Sequence, residues 1–141
     1  MTDAQILAKH YVIACVWADA PEGAHPRATR EAIAHAEKRA WEFLEMIGPA
    51  SLELAKRAYE NRGYGSHPDC GNDRPWLAAM GHDLWLTSQG HGTGFWDRNE
   101  LYKKHRDQLD ACARKFAGVT AEFYRGWLYL RGGAQMTVSE N

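Results

Sequence analysis

One stretch of this chain, residues 81–98, constrains the fold more than any other. It reads GHDLWLTSQGHGTGFWDR and places four glycines among two histidines and three aromatic side chains. Asp83–Thr87 and Thr93–Asp97 are two short apolar runs separated by a loop with two glycines, a pattern typical of a β-hairpin. The sequence therefore predicts two antiparallel strands, with His91 at the tip of the hairpin.

Helical periodicity dominates the chain before this stretch. Apolar side chains recur there at spacings of three and four, as one buried helix face requires. Breaker-rich sequence at Pro21–Pro26 and at Gly48-Pro49 interrupts the periodicity. Three helices are therefore predicted, over residues 2–20, 27–47 and 51–61.

Both helical and strand patterns follow the stretch. Asp97 and Glu100 resemble a capping box, so Asp97 is predicted to cap a fourth helix that begins near Arg98. Farther along, β-branched and aromatic residues lie on either side of an Arg-Gly turn. Two more strands are predicted there, over Val119–Tyr124 and Trp127–Arg131.

The predicted element order, α-α-α-β-β-α-β-β, describes an α+β fold in which N-terminal helices pack on a small antiparallel β-sheet. A length of 141 residues with 45% apolar residues fits a single domain over residues 1–141. Residues 1–62 would form its helical part and residues 76–131 a hairpin–helix–hairpin part. Residues 132–141 would be a flexible tail.

Charge and cysteine content exclude several classes of protein. The chain has 17 basic and 18 acidic residues and a formal net charge of −1, whereas non-specific nucleic-acid binders usually carry a basic excess. Its start lacks the positive region of a secretory signal, and no apolar run is long enough to span a membrane. Three widely separated cysteines indicate reduced thiols, so a cytoplasmic location is expected.

The central stretch resembles a motif of small uncharacterised bacteriophage and prophage proteins. Their pattern runs Gly-His-Asp-aromatic-Trp-Leu-Thr, a polar pair, Gly-His-Gly, a small residue and Gly-Phe-Trp-Asp-Arg. Residues 81–98 match it except that Leu84 replaces the usual aromatic residue. The resemblance covers roughly the second half of the chain. It implies a phage or mobile-element origin and a bacterial host cytoplasm, and it brings no catalytic residue.

Histidines and carboxylates in the stretch allow a chemical interpretation. His82, Asp83, His91 and Asp97 could converge on the hairpin for acid–base work or to bind a divalent metal. A structural interpretation is favoured, because the spacing fits no established metal signature. In it, Asp97 caps a helix, His91 bonds within its loop and Asp83 begins a strand.

A weaker metal alternative combines the stretch with the loop before it. His67, Cys70, His82 and His91 supply the donor types of a Cys-His₃ zinc site. They lack the closely spaced ligand pairs of zinc fingers and ribbons. No metal and no cofactor is therefore predicted.

Aromatic and arginine side chains are interleaved in the second half of the chain, a combination typical of protein interfaces. It also suits stacking on single-stranded nucleic acid, which the balanced net charge disfavours. The predicted binding residues are Trp85, His91, Phe95, Trp96, Arg98, Arg125 and Trp127, within a wider set that includes Arg74, Trp76, Tyr124, Tyr129 and Arg131.

Two function classes follow from these patterns. The leading hypothesis is a non-enzymatic accessory protein of a phage or mobile element. It would bind a host protein or defence complex and inhibit host immunity, as anti-CRISPR and other anti-defence proteins do. The alternative is a small metal-dependent or acid–base enzyme, or a small-molecule binder, built around His82, Asp83, His91 and Asp97.

Overall fold

The fold consists of helices packed against one face of a small sheet. A computed structural model describes residues 1–61, 73–99 and 101–133. The α+β class is confirmed, and the predicted element order matches approximately. The elements are α1 (Asp3–Asp19), β1 (Arg27–Ala28), α2 (Arg30–Asn61), α3 (Pro75–Ser88), a 3₁₀ turn (Phe95–Asp97), α4 (Lys103–Arg114), β2 (Val119–Tyr124) and β3 (Trp127–Gly132).

α1 begins at a capping box that the sequence encodes locally. The Thr2 hydroxyl accepts from the Gln5 backbone N–H at 3.1 Å, and the Gln5 side chain accepts from the Thr2 N–H at 2.9 Å. This exchange satisfies two backbone donors that the first turn would otherwise leave free. Leu7, Tyr11 and Cys15 recur every four residues and are fully buried, which makes α1 a central core helix.

α2 unites the second and third predicted helices across a kink. Gly48 has a φ of 80°, in the left-handed region that glycine adopts most readily, and Pro49 follows it. Below the kink, Phe43 lies in the core with its ring stacked on Phe95 at a centroid distance of 5.7 Å. The apolar stripe predicted for the two segments therefore belongs to one bent element.

The predicted central hairpin is wrong. Asp83–Thr87 lies inside α3, and Thr93–Asp97 contributes a 3₁₀ turn instead of a strand. α3 begins with Pro75 in its first turn and is buried nearly all round. A helix of that kind has no polar face, so a short apolar segment of it cannot be told from a strand by periodicity.

The predicted cap of the fourth helix is also wrong. α4 begins at Lys103, and Arg98 has an extended backbone with a φ of −83° and a ψ of 93°. The Asp97 carboxylate instead accepts from the Gly94 N–H at 3.0 Å and the Thr93 hydroxyl at 2.9 Å. Asp97 thus stabilises the turn before α4, because a carboxylate satisfies free N–H groups at any turn that presents them.

The sheet has the order β1-β3-β2 and is mixed, not purely antiparallel as predicted. β2 and β3 form the predicted C-terminal hairpin, whose turn residues Arg125 and Gly126 both have positive φ, as a type I′ turn requires. The two-residue β1 pairs in parallel with β3. Within the described ranges, none of the helices combines the length and apolar character needed to cross a bilayer.

α1 and α3 run side by side in the same direction and approach closely at Gly81. Arg74 bonds Asp3 at 2.7 Å near their starts, and the Trp85 indole reaches Asp19 at the end of α1. A Cβ at position 81 would lie 2.6 Å from the Leu7 carbonyl oxygen. Glycine is therefore required for this helix contact.

Gly81→Ala is expected to destabilise the protein by about 1–3 kcal/mol, because the added methyl group collides with the α1 backbone. Chemical denaturation would measure the change. Helix propensity alone gives the opposite sign, since alanine is favoured over glycine by about 1 kcal/mol. Ala34→Gly on the exposed side of α2 is the control. A Gly81→Ala variant more stable than the parent would contradict the close contact between α1 and α3.

Acid should weaken the fold through His105. Its ring is buried and shares a 2.6 Å hydrogen bond with Ser51, and burial lowers the pKa of the imidazole from 6.5. The unfolded chain then binds the proton more readily, so this stabilisation is complete above pH 6.5 and is lost progressively below it. In urea unfolding at pH 7.5 and 5.5, His105→Gln should lose less stability on acidification than the parent or the exposed control His25→Gln.

Candidate functional site

On the outer face of the sheet, strand register brings together aromatic and arginine side chains. Thr120, Glu122 and Tyr124 alternate outward along β2, while their neighbours point to the core. On β3 the outward residues are Trp127, Tyr129 and Arg131. Trp127 pairs with Tyr124, Tyr129 pairs with Glu122, and Arg131 pairs with Thr120. Leu128 and Leu130 cover the inner side.

A row of large side chains crosses this face at one end. Arg27 of β1 is in register with Trp127 of β3, which in turn pairs with Tyr124 of β2. Paired residues project on the same side of a sheet, so the three side chains are neighbours. Tyr124 is 59% exposed and Trp127 is 44% exposed, and both are therefore available to a partner.

Guanidinium groups lie against these rings. Arg125 stacks over Tyr124 at 5.2 Å, and Arg131 over Tyr129 at 5.7 Å. Arg131 also pairs with Glu122 at 3.1 Å, the one carboxylate on these outward strand positions. We call this surface the aromatic–arginine face; it consists of Arg27, Glu122, Tyr124, Arg125, Trp127, Tyr129 and Arg131.

The composition of the aromatic–arginine face suits an anionic partner. Three arginines and a single carboxylate give it a local positive charge on a chain whose net charge is −1. Stacked guanidinium groups keep their N–H donors free for carboxylates, which they bind in pairs. Tryptophan, tyrosine and arginine are also the residues that most often dominate binding energy in protein interfaces.

The predicted binding residues are divided between this face and the core. Arg125 and Trp127 lie on the aromatic–arginine face, and Trp96 is 49% exposed on the 3₁₀ turn. Trp85 and Phe95 are core residues, with exposures of 1% and 0%. Their bulk fills the space between helices, so they support the fold instead of facing a partner.

Arg98 is partly buried in an ion pair with a buried carboxylate. Its guanidinium donates to both oxygens of Asp83, at 2.7 Å from Nε and 2.8 Å from Nη2. The Tyr59 hydroxyl donates to the same carboxylate at 2.5 Å, and the guanidinium also lies over the Tyr59 ring. Asp83, predicted as a catalytic candidate, is thus 1% exposed and bonded on both oxygens.

His91 has a carboxylate partner that its sequence neighbours did not reveal. Its Nε2 lies 3.1 Å from Asp19 at the end of α1, and its backbone N–H donates to Leu86 at 2.9 Å. The same carboxylate accepts from the Trp85 indole at 2.7 Å. His91 therefore has the rigid support that its two glycine neighbours could not provide.

His82 belongs to a different cluster, near the middle of α1. Its ring is tilted against that of His10, with centroids 6.2 Å apart. His10 bonds Asp73 at 2.9 Å, and Lys9 bonds the same carboxylate at 2.8 Å. The Lys9 hydrogen bond, followed by that from His10, holds the pKa of Asp73 below its usual value of 3.8.

The four residues of the enzyme alternative are thus engaged in separate sets of contacts. His82 lies beside His10, Asp83 binds Arg98, His91 contacts Asp19 and Asp97 stabilises a turn. No three histidine, cysteine, aspartate or glutamate side chains in the described part of the chain are grouped so as to hold a metal ion. His67 and Cys70 of the weaker zinc alternative lie outside the described residues.

The described cysteines are not activated nucleophiles. Burial raises the pKa of the Cys15 thiol to about 12, and the nearby Asp19 carboxylate raises it further. Burial also raises the pKa of Cys112, against a smaller opposing effect of Lys115. Both therefore remain protonated at neutral pH, whereas nucleophilic cysteines are thiolates.

Sequence reasoning did not identify Arg27. Its place on the face depends on a two-residue parallel pairing with a strand that lies 100 positions later in the chain. By contrast, Tyr124, Trp127 and Tyr129 could be placed together from the alternation on either side of the Arg-Gly turn.

Comparisons with protein-family models, curated proteins and solved structures yield no match for this chain.

Arg98→Ala is expected to lower the free energy of unfolding by about 3–5 kcal/mol, because it removes two hydrogen bonds from a buried carboxylate. Thermal and urea unfolding would measure the loss. Arg114→Ala removes an exposed pair with Asp110 and should cost no more than about 1 kcal/mol. Equal losses in the two variants would show that the Arg98–Asp83 pair contributes no more to stability than an exposed ion pair.

Proposed function

We propose that this protein is a non-catalytic binding protein that engages an acidic surface of another protein through the aromatic–arginine face. The observation that carries the proposal is the exposed row of Arg27, Trp127 and Tyr124. A fold gains nothing from leaving a tryptophan and a tyrosine side by side in water. Covering them with a partner removes that apolar area from solvent at about 25 cal/mol per Å².

The size of the face indicates how it contributes to binding. Strand spacings of about 4.8 Å and six-residue strands of about 20 Å give the sheet an area of at most about 300 Å². A stable interface covers about 800 Å² on each partner. The aromatic–arginine face is therefore the centre of an interface, with neighbouring surface forming its rim, as is usual for residues that dominate binding energy.

A protein partner fits this face better than nucleic acid does. Nucleic-acid binders track a phosphate backbone with a long basic groove. Here the three arginines form a compact group, Glu122 lies among them, and basic and acidic residues are balanced over the chain. Compact clusters of arginine and aromatic residues are suited to acidic side chains on a protein surface.

The wider role inferred from the sequence remains part of this proposal. A phage or mobile-element accessory protein that inhibits host immunity has to bind a host protein, and it needs no catalytic group to do so. The structural contacts that engage His82, Asp83, His91 and Asp97 separately support a binding role. The resemblance of residues 81–98 to phage proteins is the support for the biological setting.

Trp127→Ala combined with Tyr124→Ala is expected to abolish partner binding while leaving the fold intact, because both side chains are exposed. Affinity capture from bacterial lysate would compare this variant with the parent and with Trp17→Ala. Trp17 is 74% exposed on α1 and is a matched control. A protein captured by the parent and by Trp17→Ala, and lost with the face variant, would then be purified for direct binding measurements.

Affinity measured with that purified protein should fall at least about 30-fold for the face variant, the equivalent of 2 kcal/mol for dominant interface residues. Arg125→Glu should weaken binding further at low salt. Binding that survives in the face variant and is lost in Trp17→Ala would refute the proposal. Capture that disappears on nuclease treatment would instead identify nucleic acid as the ligand.

A further inference from the structure

A cleft of about 420 Å³ lies at the ends of α1 and α3, against the inner side of β2. It is on the opposite side of β2 from the aromatic–arginine face. Asp19, Gln89 and His91 form its polar side, and Val119, Ala121 and Phe123 form its apolar side. The cleft thus combines polar and apolar lining, as do sites that orient an amphipathic small group.

The polar side of the cleft is rich in hydrogen-bond acceptors. The Asp19 carboxylate is held in place by the Trp85 indole and by His91 Nε2, and it remains 28% exposed. The Gln89 amide nitrogen donates to Ser88 at 2.8 Å, which makes its carbonyl oxygen the free end.

The backbone adds negative potential to the cleft. α1 ends at Asp19 and α3 ends at Ser88, so the C-terminal ends of two parallel helices adjoin it. Each such end carries about half a negative charge. Neither helix has a basic residue in its last turn, and no lysine or arginine among the described residues lines the cleft. A cation bound there would be stabilised by the carboxylate and by both helices.

The apolar side is suited to a hydrocarbon chain. Val119, Ala121 and Phe123 project from one side of β2 at alternate positions, which gives a continuous strip about 13 Å long. Val119 is buried in the core, and Ala121 and Phe123 are partly buried against it. Methylene groups can lie on such a strip while a charged head reaches the polar side.

We propose that this cleft binds an alkylammonium or alkylguanidinium group, with its cation on Asp19 and its methylene chain along β2. The site is independent of the aromatic–arginine face and of any partner bound there. It requires only the juxtaposition of a supported carboxylate, two helix ends and an apolar strip. The ligand is either a free small amine or guanidine, or a lysine or arginine side chain of a protein.

Agmatine, a butyl chain with an amine and a guanidinium, is the probe for this site. Its titration should produce a saturable shift of the Trp85 indole N–H signal in ¹H–¹⁵N NMR spectra, because that group bonds to Asp19. Trp85→Phe would identify the signal. Glutarate, of similar length and opposite charge, should leave the signal unchanged. Equal shifts with both compounds, or none with agmatine, would overturn the proposal.

Asp19→Asn is expected to weaken agmatine binding about 10-fold or more, the value of a hydrogen bond to a charged group. Asparagine keeps an acceptor for the Trp85 indole, so the fold should persist. Asp107→Asn, which changes an exposed carboxylate on α4, is the matched control and should bind as the parent does. Unchanged affinity in a folded Asp19→Asn protein would refute the site.

Comparison with an arginine-containing tetrapeptide distinguishes the two sources of the cation. Affinity about tenfold above that of agmatine would indicate a protein side chain, and equal or lower affinity would indicate a free amine or guanidine. Trp127→Ala should leave both affinities unchanged, because Trp127 is on the other side of the sheet. Failure of partner binding and failure of the cation site are therefore seen in different experiments.

Discussion

The close approach of α1 and α3 at Gly81 determines the positions of most other features. Without a side chain at this point, the two helices lie near enough for their ends to meet at both extremities. At one end Asp3 binds Arg74, and at the other Asp19 holds Trp85 and His91. The cleft at the end of α1 exists because the helices finish together, and their alignment follows from the missing methyl group.

The residues that the sequence suggests as catalytic candidates mostly hold one structural element against another. Arg98 ties the loop after α3 to Asp83 on that helix, and Tyr59 adds α2 to the same contact. Removing one partner of a pair whose carboxylate is buried lowers the free energy of unfolding far more than an exposed ion pair contributes to it. A cluster of ionisable residues in a glycine-rich stretch can therefore serve to hold a loop against a buried helix.

Periodicity predicted the helices other than α3 and the C-terminal hairpin, because each of these elements has one buried and one exposed side. The fold class followed from them. Periodicity failed over residues 83–97, where α3 is buried all round and the glycines serve a different purpose. A Cβ at Gly94 would collide with the Thr87 hydroxyl, so the lack of a side chain here permits the loop to pack on the helix. Of the candidate binding residues, Trp127 and Arg125 were identified from the interleaving of aromatic and arginine side chains around the Arg-Gly turn. The Asp19–His91 contact spans 72 positions and left no local signal.

The pairing of β1 with β3 has a consequence for how the protein acquires its binding surface. Residues 27–28 meet residues 127–128, so the last contact of the sheet closes a loop of about 100 residues. Closing such a loop carries an entropic cost that grows with the logarithm of its length. The hairpin can form early from local contacts, whereas Arg27 joins Trp127 only when the helices between them are packed. The complete face is therefore a property of the finished molecule, and a nascent or partly unfolded chain presents only a fragment of it.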